Sequence, residues 1–350
     1  MEIYEYLREL LPIPSLSWKE DGISAYVISR MSEFGYVFRD DSIGNLLFYR
    51  SLRGPKVMLA THMDTVALAN EPHVLENDEY FYTDGRTALG ADDKASIAAL
   101  LKAAESSPDA LFLFTRAEET GCQGSAKLTP DFFRDFDIKA VFVLDASGEV
   151  GTAITAAPGK DVIDITITGK AAHAGFAPES GINAIQTAAV AISRTATGRI
   201  DEETTCNLGT LMAPGSINVV PDKATYSYEV RSQSDEKRIK KTEEIIYNAE
   251  HAAIESGAKC EISRKTLYLP YSVTADDASL LIAEKAIEAI GRKMVVKSTS
   301  GGSDTNNLRT LGLDAITLSV GYENPHSVNE RMPKKELEAL AKLASSLLSL

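Results

Sequence analysis

Five short segments of the chain carry residue types that hold divalent cations: His62-Met63-Asp64, Asp92-Asp93, Glu118-Glu119, Asp145 and His326. His62 and Asp64 are two apart, so in an extended segment both point to one side. A carboxylate beside a metal-bound imidazole holds its second N–H and fixes the tautomer. Asp92 and Asp93 open a helical stretch. Helix capping alone would account for an aspartate there, but beside the other segments one of the two is suited to bridge a pair of cations. Glu118 and Glu119 are neighbours whose side chains diverge, so one can ligate while the other faces a bound water as general base. Hard oxygen ligands with one imidazole per ion suit zinc, with manganese or cobalt as alternative occupants. The set favours two ions sharing a carboxylate and a water, and its chemistry is metal-assisted hydrolysis.

Residues so far apart in sequence need a scaffold that gathers them. Short β-rich runs at 57–61, 111–115 and 141–144 alternate with helical stretches such as 95–104. That order predicts an α/β domain with a mixed, largely parallel sheet flanked by helices. In such sheets reactive groups collect beyond the carboxyl ends of the strands, where His62, Glu118 and Asp145 fall. From about residue 159 the pattern changes. Residues 161–168 and 224–231 alternate apolar and polar, as half-exposed antiparallel strands do. Helices are expected at 181–196 and 235–256. After residue 275 the first pattern returns, with a helix to 290, a strand at 315–319 and a closing helix from 334. The expectation is a catalytic α/β domain, 1–158 with 269–350, interrupted by an inserted α+β domain at 159–268.

The chain's 350 residues suit two domains. A net charge of −14 argues against nucleic acid or an anionic membrane as partner. Three cysteines far apart indicate neither a disulfide framework nor a cysteine metal site. Ile3, Tyr6, Leu7, Leu10 and Leu11 are spaced as in an amphipathic helix, not as in a signal peptide. No apolar run reaches the roughly 20 residues of a membrane span, so a cytoplasmic protein is expected.

Taken in order, the five segments resemble the co-catalytic zinc hydrolases that include peptidase T, carboxypeptidase G and the aminoacylases. The resemblance extends through the inserted domain, at Gly169-Lys170-Ala171-Ala172-His173-Ala174-Gly175, Gly181-Ile182-Asn183-Ala184-Ile185, Asn218-Val219-Val220-Pro221-Asp222 and Glu229-Val230-Arg231. It implies that His62 and Asp145 hold one metal, Glu119 and His326 the other, and that Asp92 bridges them, followed by a cis peptide to Asp93. It implies further that Asp64 orients His62, that Glu118 is the base, and that His173 reaches the reacting carbonyl oxygen, often from a dimer partner. Asn218, Arg231 and the loop at Gly301 and Gly302 would bind substrate, Arg231 as a fork for a carboxylate. The inserted domain would serve as lid and dimerisation surface. Gly90-Ala91-Asp92-Asp93-Lys94-Ala95 and Ala172-His173-Ala174-Gly175 are most similar to the peptidase T branch, which implies an aminopeptidase of short peptides such as tripeptides. The alternative on the same site is an N-acyl amino acid deacylase or a carboxypeptidase. Cys122 stands where that family usually has glycine.

Overall fold

A computed structural model describes residues 1–53, 55–107 and 109–349. The chain divides into two compact units, Met1–Ala156 with Ser272–Leu350, and Ala157–Tyr271.

In the first unit the apolar runs form a mixed sheet. Its strands include, in order across the sheet, Val37–Asp40, Leu46–Tyr49, Leu111–Thr115, Pro55–His62, Asp137–Ala146, Ala315–Ser319 and Thr152–Ala157. Leu111–Thr115, Pro55–His62, Asp137–Ala146 and Ala315–Ser319 run parallel to their neighbours in this group. Val295–Ser298 adds in parallel to Thr152–Ala157. Alternate residues serve opposite faces, as the period of two requires. Leu59, Phe112, Phe114, Phe142, Leu144 and Ile316 join one core. Met58, Leu111, Leu113, Val141 and Val143 join another, with Phe132, Phe133 and Leu308. Both faces are thus covered, and each fully buried Leu or Phe contributes about 1.5–3 kcal/mol.

The larger core is closed by the helices Ile3–Leu10, Asp21–Glu33, Ala91–Ala104, Ala278–Ala289 and Lys334–Leu347. Ala91–Ala104 is buried almost all round; its alanines 95, 98, 99 and 103 let it pack closely on its neighbours. Asp92 and Asp93 depart from helical dihedrals (φ −81, ψ 101 and φ −118, ψ 27), so its regular turns begin after them, next to the expected residue 95. The peptide between them is cis. Lys334–Leu347 lies against Gly321, where φ is +104 and an added Cβ would sit 2.4 Å from Glu336 Cβ. Only glycine fits there.

The second unit is an antiparallel sheet in the order Gly198–Arg199, Thr204–Met212, Lys223–Ser232, Gly159–Thr168, Lys259–Tyr268. Ile163, Ile165 and Ile167 stand opposite Tyr228, Tyr226 and Ala224. These side chains meet Ala184–Ser193 and Asp235–Ser256 through Ala188, Ala191, Ile245 and Ala249. Asn183 and Ser234 cap the two helices by accepting from the N–H of Gln186 and Lys237. Asp161 occupies the same strand face as the three isoleucines, buried, and accepts from Thr242 (2.9 Å), Thr266 (2.8 Å), Arg264 (3.0 Å) and Arg238.

Candidate metal centre

Every candidate ligand of the first unit except Asp92 is placed by a strand end or by the loop that follows. His62 ends Pro55–His62, and Asp145 is next to last in Asp137–Ala146. Glu118 and Glu119 follow Leu111–Thr115 in a tight turn. Ala117 (φ +50) and Cys122 (φ +54) adopt left-handed backbone there, and Gly124 passes so near that an added Cβ would lie 1.9 Å from Arg116 O. Glu20, fully buried, secures the turn by accepting from the Ala117 N–H (3.0 Å) and Arg116 Nε (2.8 Å). Asp92 stands at the start of Ala91–Ala104, and His326 in the loop beyond Ala315–Ser319.

These side chains converge. His62 Nε2 is 3.3 Å from Asp92 Oδ1 and 3.6 Å from Asp145 Oδ1. His326 Nε2 is 3.1 Å from Asp92 Oδ2 and 2.9 Å from Glu119 Oε1. Two donors bound to one cation at about 2.0–2.1 Å stand about 3.4 Å apart in tetrahedral geometry, so these spacings suit ligands waiting on a cation. His62, Asp92 and Glu119 form one such group, and His62, Asp93 and Asp145 another. His62 Nδ1 donates to the Asp64 carbonyl oxygen at 2.9 Å and lies 3.3 Å from Asp64 Oδ1, which frees Nε2. The two oxygens of Asp64 also accept from the N–H of Glu118 (2.9 Å) and Glu119 (3.1 Å), and from Ser17 Oγ (2.6 Å). Asp64 therefore ties the imidazole to both glutamates.

The electrostatics point the same way. Burial pushes Glu118 and Asp93 well above the usual carboxylate range, and pushes Asp145 up to about 7. Burial also raises Asp92, but hydrogen bonds with His326 and His62 outweigh it and hold that carboxyl low. Hydrogen bonds to Asp92 and Glu119 lift His326 to about 11. Among the described residues nothing donates to the buried Asp93 Oδ1. The carboxylates outnumber the positive groups beside them, which leaves the site short of positive charge, and divalent cations fit it.

Other residues contribute through contacts to which the sequence alone assigns no role. Glu330, 2% exposed, accepts from the N–H of Leu89 (3.0 Å), Gly90 (3.0 Å) and Asp92 (3.1 Å), and burial pushes it up to about 7. Lys94 is buried beneath the site, donating to the carbonyls of Leu11 (3.1 Å) and Ile13 (2.6 Å); burial lowers it to about 7. Cys122 Sγ lies 3.0 Å from Glu118 Oε1, and Asp304 completes a group with both. A helical lysine and a loop glutamate look like surface residues until their backbone partners are known.

A cavity of about 400 Å³ opens on the cluster, lined by Asp92, Glu118, Glu119, Asp145 and His326, and by Lys297, Gly301, Gly302, Ser303 and Tyr322 among others. His173, Asn218 and Arg231 belong to the second unit. His173 is exposed, and its Nδ1 accepts from the N–H of Gly175 (3.1 Å) and Phe176 (3.2 Å), which places the ring proton on Nε2. The carbonyl of Asn218 accepts from the Ala174 N–H. Arg231 forks onto Glu229, at 2.6 and 3.2 Å.

A mixed, largely parallel sheet interrupted by an antiparallel unit, with acids and imidazoles gathered at one rim, marks a metal-dependent hydrolase. Residues 58–350 match Peptidase family M20/M25/M40, and the chain belongs to that family. It is similar to the uncharacterized protein YqjE of Bacillus subtilis, 33% identical over 365 residues that span 99% of this chain and 97% of that one. The solved structure of a tripeptidase from Staphylococcus aureus superposes with a TM-score of 0.90 at 31% identity, covering 99% of this chain and 96% of that one. That of the aminopeptidase PepT from Bacillus cereus gives 0.86 at 31%, covering 99% and 97%.

Proposed function

We propose that this chain is an aminopeptidase of short peptides, tripeptides in particular, that works with two divalent cations, zinc by preference. The observation that carries the reading is the Asp92 carboxylate, which turns one oxygen to His62 and the other to His326. His62, Asp92 and Asp145 would hold one ion, and Asp92, Glu119 and His326 the other. When bound, the ions would supply Lewis acidity, polarising the substrate carbonyl and acidifying a water.

The remaining steps fall to side chains. Glu118 takes a proton from the attacking water on a carboxylate oxygen and later returns it to the departing amine nitrogen. Cys122 occupies Glu118 Oε1 and leaves Oε2 for that proton. Asp64 keeps the His62 proton on Nδ1. His173, with its proton on Nε2, donates to the oxyanion of the tetrahedral intermediate, an interaction worth about 3–4 kcal/mol per donor. Asn218, Arg231 and the backbone at Gly301 and Gly302 hold the peptide. The similar aminopeptidase and tripeptidase structures support the choice of substrate over an N-acylated amino acid.

We further place the chain in the cytoplasm and pair it with a second copy through its second unit. The exposed Phe176, Met212 and Ile217 of that unit support the pairing, and light scattering would read it as twice the monomer mass. The central test is a panel of free tripeptides, their N-acetylated forms and N-acyl amino acids, assayed with wild type and Glu118→Ala. Wild type should cut only the free tripeptides, and Glu118→Ala should lose turnover by at least about a hundredfold while keeping both metals. Cleavage of the acylated compounds alone would replace this reading with a deacylase.

A further inference from the structure

The cavity beside the metal-ligand cluster carries the carboxylates of Asp92, Glu118, Glu119 and Asp145, yet one lysine stands in its wall. Lys297 lies on the strand Val295–Ser298, whose register sets it opposite Ile154 on Thr152–Ala157. Both residues line the cavity. The lysine is held there by its own backbone, since its carbonyl accepts from Thr155 Oγ1 at 3.5 Å. Among the described residues lining the cavity, Lys297 is the only lysine or arginine, against the carboxylates of Asp92, Glu118, Glu119 and Asp145. Among the described residues none of these acids, nor any other, comes within ion-pair distance of its ammonium, and the side chain is exposed.

We propose that Lys297 recognises the C-terminal carboxylate of the peptide, so that the substrates are short peptides with an unmodified C-terminus. This rests on the peptidase reading of the same site. A neutral stretch of peptide offers an ammonium only carbonyl oxygens, whereas an anion offers full opposite charge, and the one anion every unmodified peptide carries is its terminal carboxylate. A space of about 400 Å³ is near the small end of ligand sites and suits a few residues. An ammonium anchored in that space measures peptide length, because only a short peptide brings its terminus to Lys297 while a peptide bond lies at the cluster. Arg231, in the second unit, already forks onto Glu229. The neighbouring hydroxyl of Ser298 adds a donor of the kind a carboxylate accepts.

The test compares a neutral tripeptide, its C-terminal amide, and an amide carrying an acidic side chain. Each is assayed with the metal-loaded full chain as wild type, Lys297→Met and Lys297→Arg. Wild type should favour the free acid over the amide by about tenfold or more in kcat/KM. Lys297→Met should lose that preference through KM, with kcat within about twofold of wild type on the amide. Lys297→Arg should keep most of it. Equal cleavage of acid and amide by wild type would overturn the proposal, as would an undiminished preference in Lys297→Met. Recovery of full activity by the acidic side chain of the third peptide would also overturn it, assigning Lys297 to a side-chain carboxylate. If no peptide is cut, the peptidase reading fails, and calorimetry decides the recognition separately: acid bound about tenfold tighter than amide by wild type, and equally by Lys297→Met, supports it, and any other pattern overturns it.

Discussion

A carboxylate that accepts several backbone N–H groups is a fixed part of a site, and here two such groups act on the candidate ligands. Asp64 holds the Glu118–Glu119 turn, and Glu330 holds the approach to Asp92. Glu330→Gln would turn an amide NH₂ toward an N–H that now has an acceptor. It should cost about 1–3 kcal/mol of stability and lower the bound metal, read by thermal unfolding with and without metal and by metal analysis. Unchanged values in both would show that the loop keeps its shape without Glu330. In the sequence, His62, Asp92 and His326 drew notice because histidines and paired acids are scarce and chemically distinctive. Glu330 and Lys94 did not, because a charge's value here comes from backbone groups that only the folded chain brings to it. Asp161 was hidden for a related reason. Val162 and Ile163 are both apolar, so the alternation alone does not say which face is inward; the core face takes the odd positions, and a buried aspartate lies in line with the isoleucines.

Among elements, strands buried on both faces were legible, and Leu111–Thr115 and Ala315–Ser319 have the limits their apolar runs suggest. Exposed or short elements were not. Val295–Ser298 has no buried residue, and Val74–Glu76 belongs to a small separate sheet with Tyr80–Thr83. The helix expected at 181–196 is shorter, Ala184–Ser193, because Asn183 caps it. The last helix, Lys334–Leu347, is tied to the sheet by Glu336, which accepts from the Val150 N–H (2.8 Å) and from Arg292 (2.5 and 2.9 Å). Burial raises Glu336, but its bonds with Arg292 and Val150 outweigh this and hold the carboxyl below its usual value. Its contribution is therefore complete above about pH 4.5 and is lost as pH falls through the lower folded value. Glu336→Gln should lose about 1–3 kcal/mol near neutrality and converge with wild type in acid. Urea unfolding at pH 7 and below pH 4 reads the difference; a constant gap would deny the role of its charge.

For the whole molecule, the concentration of buried acids couples cation binding to stability. Chelation should lower the melting temperature, and restoring zinc should recover it. At cations a hundredfold above their dissociation constant, each contributes about 2.7 kcal/mol. A melting curve indifferent to chelator would mean that the acids settle their charge without cations.

The position of Ala315–Ser319 has a consequence for how such a chain is made. It lies between Asp137–Ala146 and Thr152–Ala157, which are near neighbours in sequence but are kept apart by a strand synthesised only after the entire second unit. While the chain emerges from a ribosome, those two strands offer each other bare edges, and the handiest pairing is the wrong one. A gap must stay open until a late arrival fills it, so nascent or prematurely terminated chains expose unpaired strand edges that invite aggregation.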